Sequence, residues 1–127
     1  FTPTCSGQQL PVYDEQYNKF KDLGIDDVYC ISVNDAFVMN AWARDLKINN
    51  VKMIPDGCGT FTRSMGMLVN KPAQGFGMRS WRYSALIDNM EVTQFNEEPG
   101  YNNFSDDDDP FVVSDADTMI KYLEGNK

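Results

Sequence analysis

Histidine is absent from the 127 residues. Its absence excludes Ser-His-Asp and Cys-His nucleophilic catalysis and removes the commonest ligand of catalytic zinc. Chemistry is left to cysteine, carboxylates, Arg and Lys, hydroxyls and backbone groups. Cysteine is scarce: Cys5, Cys30 and Cys58 are an odd number without metal-like spacing. No CxxC pair occurs, which excludes dithiol exchange within one motif. Such usage suits a reducing compartment in which thiols stay free. Positive charge is in deficit, with 11 Lys and Arg against 19 Asp and Glu, a net charge of −8. Neither nucleic acid nor an anionic membrane is an expected partner, because phosphate binding needs a positive surface. No apolar run approaches the length of a membrane span. A soluble, cytoplasmic protein is the expectation.

What is present reads as one globular domain over residues 1–127. Hydrophobic residues make up 42% and charged residues 24%, the balance of a chain that buries a core. The stretch Phe1-Thr2-Pro3-Thr4-Cys5-Ser6 places a cysteine where a helix should begin, behind two threonines and a proline. A thiol at a helix N-terminus meets unpaired backbone N–H groups and the positive end of the helix dipole. Both favour thiolate, and they can bring such a thiol from about 8.5 down to roughly 3.5–7.5. The competing reading is a buried structural cysteine, because free Cys behaves as a small hydrophobe. These residues alone leave both open.

Apolar residues at Leu10, Val12 or Tyr13, Tyr17, Phe20 and Leu23 predict a helix, with Pro11 kinking it or starting a second segment and Gly24 closing it. Val28 to Val33 predicts a strand buried on both faces that contains Cys30 as a structural thiol. Asn34 and Asp35 cap a helix from Ala36 towards Lys47. Val51 to Ile54 is a strand, Pro55 to Gly59 a turn exposing Cys58, and Thr60 to Met65 a short helix. Met65 to Val69 reads as packing, and Gly75-Phe76-Gly77 as a turn, since it lacks the third glycine of a dinucleotide loop. Arg82 to Ile87 and Glu91 to Phe95 form a hairpin about Asp88-Asn89, followed by a loop from Glu97 to Pro110. Ser114 to Asp117 caps a last helix bearing Met119, Ile120, Tyr122 and Leu123. This order implies an α/β fold, a mixed sheet flanked by helices. The run Asp106 to Asp109 lacks the ligand spacing of a calcium loop and reads as a solvated loop.

Three motifs in this order carry a resemblance: Phe1-Thr2-Pro3-Thr4-Cys5-Ser6 with Leu10-Pro11, then Ser32-Val33-Asn34-Asp35-Ala36-Phe37-Val38, then Arg79-Ser80-Trp81-Arg82-Tyr83-Ser84. Together they resemble the peroxiredoxin-5 group of peroxiredoxins, over nearly the full length. The ending Val113 to Leu123 is similar to the bacterial branch whose members often carry a fused glutaredoxin domain. The resemblance implies a thioredoxin-like fold and a thiol-dependent peroxidase. It assigns the peroxidatic cysteine to Cys5, the hydroxyl residue of the active-site loop to Thr2 and the pocket arginine to Arg82, with Pro3 and Thr4 shaping the substrate pocket.

The family's N-terminal hairpin, central strand and active-site proline have no counterpart before Phe1, so the resemblance implies an N-terminally incomplete domain. It further implies no metal or organic cofactor and recycling by an external thiol, because no cysteine lies between Gly59 and Lys127 to act as a late resolving residue. Glutathione or glutaredoxin is the implied reductant, and a homodimer the implied assembly. The alternative to an enzyme is a catalytically inactive thioredoxin-fold module that binds a partner or senses oxidation.

Overall fold

The computed structural model describes residues 2–103 and 110–125. The expected loop around Asp106 to Asp109 lies outside the described residues. The chain opens with a π-helical turn, Cys5–Gln9, that runs into α1 (Leu10–Glu15) and α2 (Tyr17–Asp22). Pro11 sits in the first turn of α1. Its missing N–H leaves the carbonyl four residues back without its helical partner. The wider turn accommodates this, with the Leu10 N–H donating to the Cys5 carbonyl. The single helix expected up to Leu23 is therefore three helical pieces. It closes at Gly24, whose φ is 94°. The Gly24 N–H donates to Lys21 O at 3.1 Å and the Ile25 N–H to Phe20 O at 3.0 Å, the paired bonds of a Schellman ending.

β1 (Tyr29–Ser32) and β2 (Lys52–Pro55) pair in parallel, joined by α3 (Ala36–Asp45). Asp35 caps α3, accepting from the Val38 N–H at 2.8 Å. The strand expected to be buried on both faces is only partly so: Tyr29 is exposed and Cys30 to Ser32 are half-buried. The reason is that β1 borders an open cleft, described below. After α4 (Thr60–Ser64), a hairpin of β3 (Leu68–Lys71) and β4 (Gly77–Ser80) appears that the sequence pattern did not announce. Gly75 and Gly77 do turn the chain there, at φ 76° and 68°.

β5 (Tyr83–Asp88) and β6 (Glu91–Glu97) form the expected hairpin, with its turn one residue later than expected, at Asn89-Met90. Both turn residues have positive φ, 50° and 67°, as a two-residue hairpin loop requires. α5 (Ala116–Gly125) ends the described chain. Asp115 caps it, accepting from the Thr118 N–H at 3.2 Å.

The strands thus have mixed directions, in three two-stranded ribbons. Leu10, Met39, Trp42 and Val51 pack together beneath the first ribbon. Phe20 packs with Ala116, Met119 and Ile120, which anchors α5. Met67, Val69 and Trp81 hold the β3–β4 hairpin. Polar pins join the first cluster's elements, because the Asp14 carboxylate accepts from the N–H groups of Asn49, Asn50 and Val51 at 3.2, 2.8 and 3.0 Å. The helical run bearing Cys5 is thereby fixed against the segment that leads into β2.

Met39 is 1% exposed at the centre of that first cluster. Met39→Ala should lower unfolding free energy by about 2–5 kcal/mol, the range for truncating a buried large side chain. Equilibrium urea unfolding measures it, and an unchanged midpoint would contradict this account of the core.

Candidate active site

Cys5 lies in the first turn of the helical run, half-buried against the Leu10–Met39–Trp42–Val51 cluster. Pro3 and Thr4 already have helical conformation, and the Ser6 N–H donates to the Thr2 carbonyl at 2.9 Å. Pro is well suited to this first-turn position, where its missing N–H costs no helical bond. The backbone around the sulfur is held from the side as well. The Trp42 indole N–H donates to Ser6 Oγ at 2.9 Å, tying the residue after Cys5 to α3.

Arg82 reaches the sulfur from the other end of the chain. Its Nη1 donates to Cys5 Sγ at 3.0 Å and to Gln9 Oε1 at 2.8 Å. Its Nε donates to the Pro110 carbonyl at 3.0 Å, and the guanidinium lies 5.6 Å from the centre of the Phe111 ring. A planar guanidinium held on two edges has little freedom to swing away from its target. The π-helical turn puts Gln9, four residues on, beside Cys5 so that one nitrogen serves both.

A cleft of about 1520 Å³ opens beside these groups, and Thr2, Pro3, Cys5, Gln9, Arg82 and Pro110 all line it. Thr4 is half-buried in the first helical turn and is not among the described lining residues. The cleft continues between the edges of β1 and β5, which explains the exposure of β1. At its rim Arg79 Nη1 donates to the Val33 carbonyl at 2.7 Å. That bond fixes the loop between β1 and α3, where Asn34 Nδ2 donates to Ser32 Oγ at 2.6 Å.

The other two cysteines have different surroundings. Cys58 is exposed on the turn after β2. Cys30 packs against the same cluster as Cys5. Burial, and secondarily the charge of Cys5, push the Cys30 thiol up to about 12. Among the described residues no three cysteine or acidic side chains are grouped to hold a metal ion. No helix there is long and apolar enough to cross a membrane.

Gln9, Pro110 and Glu98 were not singled out by the sequence. Gln9 was findable in principle, one helical turn beyond Cys5. Glu98 was not, since nothing local separates it from the other acidic residues. It is fully buried, and its carboxylate accepts from the N–H groups of Val112, Val113 and Ser114 at 2.7, 2.9 and 2.7 Å. Burial opposes its charge, but the hydrogen bonds from Ser114, Val112 and Val113 outweigh that and hold its carboxyl below the usual range.

The redoxin family model matches residues 1–120. A peroxiredoxin of Synechocystis sp. is 50% identical over 125 residues, 98% of this chain and 66% of that protein. The hybrid peroxiredoxin hyPrx5 of Haemophilus influenzae is 55% identical over 123 residues, 97% of this chain and 49% of that protein. The chain thus spans between about half and two thirds of the length of these relatives. Among solved structures, reduced Prx3 from Vibrio vulnificus in complex with H2O2 superposes with a TM-score of 0.89 at 37% identity, covering 99% of this chain and 73% of that one.

The three cysteines should alkylate unequally. At pH 8 a thiol at about 12 is ionised to roughly one part in ten thousand, and only thiolate reacts appreciably. Iodoacetamide followed by peptide mass mapping should label Cys5 and the exposed Cys58 and leave Cys30 intact in the folded protein. Labelling of Cys30 before the other two would contradict the placement of its sulfur.

Proposed function

Starting from the chain's membership of the redoxin family, as a peroxiredoxin of the peroxiredoxin-5 type with a thioredoxin-like fold, we propose that it reduces hydrogen peroxide and alkyl hydroperoxides through Cys5. The observation that carries this reading is the 3.0 Å contact between Arg82 Nη1 and Cys5 Sγ at the wall of an open cleft.

In the proposed reaction the Cys5 thiolate attacks one peroxide oxygen. A sulfur–oxygen bond forms, the O–O bond breaks, and the sulfur is oxidised by two electrons to sulfenic acid. The departing oxygen leaves as alkoxide or hydroxide and takes up a proton to become alcohol or water. Arg82 holds a positive charge and N–H donors where negative charge moves from sulfur to that oxygen. Thr2 supplies a hydroxyl that aligns the peroxide with the sulfur, since in-line geometry governs such a displacement. Pro3 lines the cleft beside the sulfur, and Thr4 shapes the pocket through the helical turn the two residues share.

An external thiol, glutathione or glutaredoxin, then attacks the sulfenic acid, releasing water and leaving a mixed disulfide that a second thiol opens. This route is favoured because the half-buried Cys30 has its thiol raised by desolvation, while Cys58 stands on a separate turn. Pairing of two copies through a face near the site is part of the same reading. Phe37, 87% exposed at the start of α3, and the cleft residue Val38 beside it supply apolar surface for it.

Stopped-flow mixing of the reduced protein with stoichiometric peroxide tests the reaction, with Trp42 and Trp81 as fluorescent reporters. Cys5→Ser should abolish the fast transient, and Arg82→Ala should slow it about 10²–10³-fold, the usual loss for one transition-state donor. A wild-type rate equal to that of a free thiol, or one indifferent to Arg82→Ala, would sink the proposal.

A further inference from the structure

We infer that Glu98 is a positioning residue for Arg82, clamping it from both its backbone and its side-chain ends. Its main chain lies beside the strand entry that carries the arginine: the Glu98 N–H donates to Arg82 O at 3.1 Å, and the Trp81 indole N–H donates to Glu98 O at 2.8 Å. Its side chain turns the other way. The two carboxylate oxygens take three successive backbone N–H groups, those of Val112, Val113 and Ser114. These follow directly on Pro110 and Phe111, which hold the guanidinium through the Nε bond and the ring contact. One buried residue therefore fixes where the Arg82 main chain sits and where the surface lies that orients its guanidinium.

The circuit closes on the helix bearing Cys5. The Tyr13 hydroxyl donates to the Ser114 carbonyl at 2.8 Å, and Tyr13 lies in α1, continuous with the Cys5 turn. Cys5, α1, Ser114, Glu98 and Arg82 thus form a closed ring of covalent and hydrogen-bonded links. A ring of this kind fixes the sulfur–guanidinium distance more tightly than the single 3.0 Å contact could alone.

The chemistry of the acceptor is specific. Three N–H donors converging on one side chain need acceptor oxygens only, which a carboxylate provides and a carboxamide does not, since half of its head is a donor. Glu98→Gln keeps the shape but turns an NH₂ towards one or more backbone N–H groups. The segment after Pro110 must then shift, and Arg82 with it.

This inference rests on the peroxidase reading, and the test separates the two. The rate constant for Cys5 oxidation by stoichiometric peroxide is measured in wild type, Glu98→Gln, Arg82→Ala and the double variant. Glu98→Gln should slow wild type about 10- to 100-fold, the scale for a reacting group displaced by about 1 Å. In the Arg82→Ala background it should change the rate by less than about twofold, because its effect passes through the arginine. An equal factor in both backgrounds, or no slowing in wild type, overturns the inference while leaving the peroxidase reading intact. A wild-type rate no better than a free thiol overturns both. If Glu98→Gln does not fold, Tyr13→Phe removes the other pin on the same segment and keeps its ring. The same cycle then applies: slowing in wild type alone supports the clamp, and equal slowing in both backgrounds overturns it.

Discussion

The contact between Arg82 Nη1 and Cys5 Sγ joins residues 77 apart in sequence, and the remainder of the site is arranged around keeping it. A guanidinium beside a sulfur gains from charge only if neither group drifts, because Coulomb attraction between partly exposed groups is weak and screened. The chain supplies rigidity in place of strength. Arg82 is gripped at Nε by Pro110 O, at Nη1 by Gln9 and over its face by Phe111. Cys5 is gripped through its neighbours, with Trp42 on Ser6 and the core cluster beneath.

That rigidity is distributed over segments with little regular structure of their own. The three ribbons are short, and none includes Cys5, Arg82 or Pro110. Arg82 lies in the two-residue link between β4 and β5, and Pro110 lies between β6 and α5. Buried polar side chains take over the work that a sheet ladder does elsewhere. Glu98 satisfies three N–H groups after Pro110. Asp56 does the same for α4, accepting from the N–H groups of Phe61 and Thr62 and from the Thr62 hydroxyl at 3.2, 2.8 and 2.7 Å. Burial opposes ionisation of Asp56, yet those bonds prevail and keep its carboxyl below the usual range. Carboxylates of this type stabilise the fold fully above the ordinary carboxylate range near pH 4, and that contribution fades as pH falls through the lower folded value.

Much of this was legible in the sequence where a local rule governs. Asp35 and Asp115 announced their helices because a capping side chain acts within three residues. Pro11 announced an irregular helix, and Gly24 its end. Burial of β1 was overread, because an apolar run cannot tell whether both faces are covered. The β3–β4 hairpin was missed because Leu68 to Lys71 and Gly77 to Ser80 carry no clear alternation. The β5–β6 turn falls one residue later than expected because a bulge after Leu86 shifts the hairpin register, so that Asp88 pairs with Glu91. Cys5 and Arg82 stood out through motifs. Glu98 did not, since its role exists only once segments 14–16 residues away fold onto it.

The most direct measurement of the central claim is the identity of the oxidised residue. One equivalent of hydrogen peroxide is added to the reduced protein, a 1,3-diketone that captures sulfenic acid is present, and the adduct is located by peptide mass spectrometry. The account predicts a single adduct on Cys5, lost in Arg82→Ala at short reaction times. An adduct on Cys58 in place of Cys5, or equal labelling of both, would contradict it.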